Sequence, residues 1–378
     1  MPTRTQAASA RTPHANESDL VRRLDSLVKR AIRNGASDIH FEPRSDALAV
    51  RTRIDGVLRD IELMPAAAAP VVASRIKVIA RLDIAERRLP QDGRFSFVGD
   101  GTDAAEIRVS SLPTVLGEKI VLRVLRKEAR HRGLDALGML ALHEQALRRA
   151  LQSSAGMTIV AGPTGSGKST TLYAAVEELN DGKRNILTVE DPVERRVDGV
   201  NQVQVNDEIG LTFARALRAF LRQDPDVILV GEIRDRETAE IGVRAALTGH
   251  VVLSTLHASD AAASIARLVD MGVAPFLVAA SLRAVVAQRL VRLACRDCRG
   301  EGCNVCGGTG MRGRTGVFEV MPVSEPLRRM IVRGASADAL RKYARSQRHE
   351  SLADAARACA QSGIAPLSEA ARIAAELE

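Results

Sequence analysis

The sequence predicts an α/β core built on a parallel sheet, preceded by an α+β unit and followed by a small cysteine-rich insert and a helical C-terminal region. Three observations predict it. Four short, nearly uninterrupted apolar runs, Met157–Ala161, Ile186–Val189, Val227–Val230 and Val251–Leu253, are separated by helical stretches, as in strands buried on both faces of a parallel sheet. Upstream, residues 17–127 mix helical periodicity with the period-two alternation of half-buried strands. Four of five cysteines fall within Cys295–Cys306, in a Gly-rich stretch unlike anything around it.

Taken in order, residues 1–16 carry Arg4 and Arg11 and no acid, lack the apolar stretch of a signal peptide, and read as a disordered tail. From Glu17 to Asn34, Leu20, Val21, Leu24, Leu27, Val28, Ala31 and Ile32 recur at helical spacing, with Gly35 as the cap. Asp38–Phe41, Ala47–Ile54, an Asp55-Gly56 turn and Val57–Leu63 read as strands joined in a hairpin. Val71–Leu82 is helical, and Arg94–Val98, Glu106–Ser110 and Lys119–Leu125 add short strands. The basic, broken stretch Arg126–Gly133 is the expected linker. The core then runs over 134–294, the insert over 295–316 and Ala- and Arg-rich helices over 317–378.

Composition narrows the chemistry. With 378 residues, 46% hydrophobic and 26% charged, the chain has material for two or three globular domains. No Trp, two Tyr and seven Phe argue against stacking platforms for single-stranded nucleic acid or sugars, so binding leans on backbone and charge. A net charge of +8 favours an anionic partner: nucleotide, nucleic acid or anionic lipid. The best apolar windows, Leu63–Ser74, Ala245–Ser259 and Met271–Leu282, are too short or too polar to span a bilayer, and a cytosolic chain is expected.

The strongest motif is Gly162-Pro163-Thr164-Gly165-Ser166-Gly167-Lys168-Ser169-Thr170, lying between the Met157–Ala161 strand and a helix over Thr171–Leu179. That is the context of a phosphate-binding Walker A loop. Its glycines let backbone N–H groups wrap the phosphates of ATP while the helix presents its positive end. Lys168 reaches the β- and γ-phosphates, and Ser169 ligates Mg²⁺. In an open parallel sheet ligands bind beyond the carboxyl ends of the strands, so the other strand ends converge there. They deliver Glu190, Asp191 and Glu194, then Gly231 and Glu232, then Ser254, Thr255 and His257. One carboxylate beside the γ-phosphate can deprotonate water, a general-base role expected for Glu190, and a second can hold the hydrated metal. His250 and His257 are read either as site residues or as satisfied structural histidines.

The chain is similar over about residue 20 to its end to the ATPases of type II secretion and type IV pilus assembly. The resemblance is carried by Asn34-Gly-Ala-Ser-Asp-Ile-His-Phe-Glu-Pro43, Arg53-Ile-Asp-Gly-Val-Leu58, Leu89-Pro-Gln-Asp-Gly-Arg-Phe95, Arg108-Val-Ser-Ser-Leu-Pro-Thr114, the Walker A loop, Leu187–Glu194, Val230–Thr238 and Thr248–His257. It implies a RecA-like P-loop ATPase acting as a homo-hexameric cytoplasmic motor, peripheral on the inner membrane, that drives assembly of pilin-like subunits through a membrane platform. It also implies that Glu190–Glu194 form an aspartate box, Glu232 the Walker B acid, and His250 and His257 a histidine box. Arg94 and Arg108 would be N-terminal-domain arginines that approach the phosphates; without the resemblance they read as solvated strand residues.

Two departures stand out. Members often carry further N-terminal domains, whereas here about 16 residues precede the first helix. Their cysteine pairs are usually dozens of residues apart, and here Cys295-x2-Cys298-x4-Cys303-x2-Cys306 is compressed. Each pair still makes a sulfur knuckle, and Gly300 and Gly302 allow the reversal that four thiolates around one Zn²⁺ need. The alternative is a redox-active or degenerate pair. The pairs favour the assembly branch of the family over the retraction branch. Two competing functions remain: a nucleic-acid translocase, suggested by Arg289, Arg292, Arg296, Arg299, Arg312 and Arg314 and opposed by the aromatic poverty, and a non-hydrolysing ATP-binding scaffold, opposed by the intact lysine, serine and acids.

Overall fold

The computed structural model describes residues 17–97, 105–126 and 133–377; the expected tail at 1–16 and nearly all of the expected linker at 126–133 lie outside the described residues. The chain divides into two compact units near residue 128.

The N-terminal unit contains α1 (Glu17–Arg33), β1 (Ala36–Pro43), β2 (Ala47–Ile54), β3 (Val57–Pro65), α2 (Ala68–Ala80), β4 (Gln91–Phe97), β5 (Ala105–Thr114) and β6 (Gly117–Arg126). Among the described residues these strands form one antiparallel sheet in the order β3-β2-β1-β6-β5-β4. Asp55 and Gly56, with φ of 51° and 83°, close the β2–β3 hairpin with the positive φ values that a twisted two-residue turn requires. Helix α2 starts three residues before the expected Val71 and stops where Arg81 turns left-handed and donates its N–H to the carbonyls of Lys77 and Val78. The two helices bury Leu27, Val28 and Ile76 against Ile39, Phe41, Val50, Ile107 and Leu122. Alternation puts Asp38, His40, Arg51, Arg53, Arg108 and Arg123 on the other face of the sheet.

The second unit contains α3 (Ala141–Leu151), β7 (Gly156–Ala161), α4 (Lys168–Leu179), β8 (Ile186–Glu190), β9 (Asn201–Gln204), α5 (Phe213–Phe220), β10 (Val227–Val230), α6 (Arg236–Leu247), β11 (Val251–Leu256), α7 (Ala261–Asp270), α8 (Pro275–Ser281), β12 (Leu282–Ala294), β13 (Met311–Pro322), α9 (Glu325–Val332), α10 (Ala337–Ser346), α11 (Leu352–Gln361) and α12 (Leu367–Leu377). The sheet order is β13-β12-β7-β11-β10-β8-β9, parallel except for β13 at its edge. The four expected apolar strands are β7, β8, β10 and β11. All their residues are buried, because helices pack separate apolar clusters on the two faces.

Three features differ from the sequence reading. Residues 282–294 are a thirteen-residue strand rather than an unassigned end of the core. Residues 311–322, divided between the expected insert and the expected helical region, are its antiparallel partner β13. Residues 201–204 add the edge strand β9. The C-terminal helices do form, and α12 is fastened to β12 by Glu369, a fully buried carboxylate that accepts from the Arg292 backbone N–H at 2.9 Å and from the guanidinium groups of Arg292 and Arg372. Burial pushes its pKa up, but those donors outweigh it and hold the group down at about 2. Among the described residues no helix is long and apolar enough to cross a membrane.

Candidate active site and thiolate cluster

Strand register decides which residues meet. Ala161 ends β7 level with Leu256 on β11 and Ala287 on β12, while Val230 ends β10 level with Ser254 and Val189. The Walker A loop, Glu190, Glu232 and His257 therefore emerge along one edge of the sheet, as the carboxyl-end rule requires. His250 does not join them. It precedes β11 at the opposite end, where its Nδ1 lies 2.9 Å from the Ala245 carbonyl, so the implied histidine box contributes only His257 to this edge. Ser254 and Thr255, expected in the loop, lie inside β11 and donate their hydroxyls to the carbonyls of Val230 and Gly231 at 2.7 Å each. They stitch β11 to β10 rather than face a ligand.

The loop is shaped by close approach. A side chain at Gly162 would put its Cβ 2.6 Å from the Gln288 carbonyl oxygen, and one at Gly167 would meet the Gln288 side-chain nitrogen at 2.7 Å. Gln288, on β12, is buried and accepts from the Thr171 hydroxyl at 2.6 Å, bracing the loop from below. Sequence reasoning missed it because the strand that carries it was missed. Lys168 opens α4 and its Nζ donates to the carbonyls of Gly162 and Pro163, both at 2.9 Å. Burial lowers its pKa, and the charge of Glu232 works against that fall. Ser166 Oγ is buried in the loop with no hydrogen-bond partner, and a hydroxyl left so costs about 1–3 kcal/mol. A phosphate oxygen is the acceptor it lacks, so the loop fits a nucleotide. Ser169 Oγ donates to Glu194 Oε1 at 3.4 Å, which brings a metal-competent hydroxyl beside a carboxylate.

The two acids have different surroundings. Glu190 is buried and fully engaged: it accepts from the Tyr173 hydroxyl, from Thr188 Oγ1 at 2.6 Å and from Gln202 Nε2 at 3.1 Å. Burial and the Glu190 charge push the Tyr173 phenol well above its ordinary value, so it remains a donor. Glu232 is only partly covered, is paired with Arg234, and has His257 Nε2 3.6 Å from its other oxygen. Arg234 also reaches Asp191 Oδ2 at 3.3 Å. Both acids lie on the loop's edge of the sheet, and Glu232 is the more accessible.

Arg94 and Arg108 belong to the N-terminal unit, directly opposite each other on β4 and β5. The register extends through Arg123 on β6 to Asp38 on β1, giving three arginines in a row. Arg123 Nε donates to Asp38 Oδ1 at 3.0 Å, while Arg94, 80% exposed, has Glu106 at 3.9 Å. Arg123 escaped the sequence reading, although its position opposite Arg108 follows once β5 and β6 are paired.

Cys295, Cys298, Cys303 and Cys306 gather where β12 passes into β13, their sulfurs all within 4.8 Å of one another. Cys295–Cys303 is 3.9 Å and both Cys298–Cys306 and Cys303–Cys306 are 3.8 Å, while a regular tetrahedron with Zn–S bonds of 2.3 Å has edges of about 3.8 Å. Backbone N–H groups of Gly302, Cys303 and Gly310 point at sulfur at 3.1–3.2 Å, as around metal thiolates. Burial raises the Cys306 pKa, but the N–H groups of Cys303 and Gly310, with the neighbouring thiols of Cys303 and Cys298, outweigh it and bring the thiol down to about 6. The donor set fits one tetrahedral metal ion.

Residues 14–372 match the sequence profile of the family described as Type II/IV secretion system protein. The chain is 44% identical to the type II secretion system ATPase E of Vibrio cholerae, covering 96% of this chain and 76% of that one. It is 45% identical to the type IV pilus assembly ATPase PilB of Myxococcus xanthus, covering 87% of this chain and 63% of PilB. Among solved structures it is similar to the pilus retraction motor PilT with bound ADP, at a TM-score of 0.66 and 28% identity over 92% of this chain and 96% of PilT.

Proposed function

The chain belongs to the type II/IV secretion system protein family, and from that premise we propose that it is a Mg²⁺-dependent ATPase working as a ring of six chains. Its work is the assembly of pilin-like subunits into a secretion pseudopilus or a type IV pilus, at the cytoplasmic face of the inner membrane and against a membrane platform. The observation that carries the reading is the preformed loop, with its unpartnered Ser166 hydroxyl and its partly buried lysine, beside the partly covered Glu232.

Residues 162–170 bind the phosphates. Ser169 would hold Mg²⁺, which supplies charge neutralisation on the phosphate oxygens. Glu232 takes the proton of the attacking water, and His257, within reach of that carboxylate, can accept it onward. Glu190, with its oxygens occupied by three donors, holds the end of β8 in place and orients the water through its neighbours rather than acting as the base. Arg94 and Arg108 are the arginines that the family resemblance offers for the charge that develops on the γ-phosphate. Four thiolates leave no open coordination position, so a Zn²⁺ among the cysteines is structural.

The reading is tested by ATP turnover in the full chain with and without Mg²⁺, beside Lys168→Ala. Turnover is expected only with Mg²⁺ and to be lost in the variant; equal turnover in both chains would overturn it. Anionic vesicles, offered at matched ionic strength beside single- and double-stranded DNA, are expected to be the stimulating surface, and stimulation by DNA alone would transfer the motor to nucleic acid. Elemental analysis of protein purified without added metal is expected to give close to one zinc per chain. Four freely titratable thiols with no zinc would refute the site.

A further inference from the structure

Lys77 is the feature that the nucleotide chemistry leaves unexplained. It projects from α2 with 1% of its side chain exposed, and it is ion-paired with Glu118 at the start of β6. Burying such a pair stabilises little against an apolar replacement, so its use is sought in what it specifies. Its remaining partner is the carbonyl of Glu86, at 2.7 Å, in the segment that joins α2 to β4. Gln91, the first residue of β4, donates to the same carbonyl at 2.9 Å and to that of Asp83 at 3.0 Å, and accepts from the Asp83 N–H at 2.8 Å. Gln91 lies opposite Ser111 on β5, and Ser111, fully buried, donates to Glu118 at 3.1 Å. With the strand pairing of Gln91 and Ser111 as one link, these contacts close a circuit: Lys77, Glu86, Gln91, Ser111, Glu118 and back to Lys77.

The circuit sits where register is otherwise weakly held. β4 is the outermost strand of its sheet, and its sequence, Gln-Asp-Gly-Arg-Phe-Ser-Phe, offers two apolar residues to the core. Slippage by one residue would turn Arg94 from the polar face to the helix-covered face. Gly93 allows β4 to close on the end of α2, where a Cβ would stand 2.9 Å from the Ala80 carbonyl, but close approach does not fix the strand lengthwise. The Gln91–Ser111 rung does, and it lies three residues from the Arg94–Arg108 rung.

We infer that Lys77 and Glu118 are positioning residues, whose buried circuit holds β4 in the register that sets Arg94 opposite Arg108. The inference rests on the proposed role of those arginines, and its test separates the two. The full-length protein, Lys77→Met, the double variant Lys77→Met/Glu118→Gln and Arg94→Ala are compared by amide exchange over residues 91–97 and by steady-state kinetics. In Lys77→Met, exchange across β4 should rise at least tenfold while β1 and β2 are unchanged, since only the edge strand has lost its anchor. kcat should fall by about 10²-fold, the order expected when a reacting group is misplaced by about 1 Å, with KM for ATP nearly unchanged. The double variant removes the stranded Glu118 charge and should regain thermal stability but not kcat, because the Glu86 carbonyl is still unanchored. Unchanged β4 exchange, or wild-type kcat in the double variant, overturns the inference. Wild-type turnover in Arg94→Ala would instead fell the arginine reading itself, and the positioning role with it, whatever β4 exchange shows.

Discussion

Arg108→Ala is expected to lower ATP turnover by about 10³-fold or more while the affinity for ATP stays within a few-fold, and Arg94→Ala to do the same, as removal of an arginine that acts only in the transition state does. Cleavage of the γ-phosphate spreads negative charge over its departing oxygens, and cations must meet it. Among the described residues, two guanidinium groups on the P-loop unit near the site have other commitments. Arg234 is held by Glu232 and Asp191, and Arg289 by Glu376 and the Ser259 carbonyl. Arg94 and Arg108 face each other on neighbouring strands, where like charges repel. An anion between them removes that repulsion, and a more highly charged transition state removes more of it than the ground state does. Steady-state turnover beside a direct binding isotherm separates the two effects. Full activity in either alanine variant would show that the charge is met elsewhere.

Glu232→Gln is expected to bind ATP and hydrolyse it about 10²–10⁴-fold more slowly, the range lost with a general base. The amide keeps the shape and a hydrogen-bonding oxygen and removes only the proton acceptor. Glu190→Gln is predicted to behave differently. Its site offers three donors to a carboxylate, and an amide turns one acceptor into a donor facing them, so stability falls along with turnover. Thermal unfolding alongside single-turnover hydrolysis distinguishes these outcomes. A Glu232→Gln chain with wild-type turnover, or a Glu190→Gln chain slowed to the same degree without loss of stability, would reverse the assignment of the base.

How much of this was legible in the sequence can be judged residue by residue. The Walker A loop, the four buried strands and the four thiols were readable because each depends on local spacing: a strand–loop–helix succession, an apolar run, two Cys-x2-Cys steps. Strand β12 was not. Leu, Ala, Gln and Arg, which dominate residues 282–294, are helix formers, and the segment is extended because β7 and β13 pair with it on either side. Gln288, the brace under the P-loop, was hidden with it. The separation of the two histidines was hidden for a different reason. His257 lies seven positions after His250, and in a strand rising about 3.3 Å per residue that separation places them about 23 Å apart, beyond opposite ends of β11. Ser254 and Thr255 looked like ligand-facing residues because the apolar run stops there, but a neighbouring strand's carbonyls satisfy their hydroxyls. Lys77 and Arg123 lay beyond reach because nothing local marks a lysine as buried or an arginine as one of a row.

The β12–β13 ribbon has a consequence for how the molecule comes apart. Gln288 props the nucleotide loop from the middle of β12, Cys295 opens the thiolate cluster just past the strand's end, and between them Arg292 is bound through both backbone and side chain to a carboxylate with no exposure. Fraying that starts at the cysteines must break the Arg292–Glu369 bonds before it reaches Gln288, so an opening that frees Gln288 from that end carries α12 with it. The nucleotide loop, the thiolate cluster and the last helix thus belong to one cooperative unit of local unfolding.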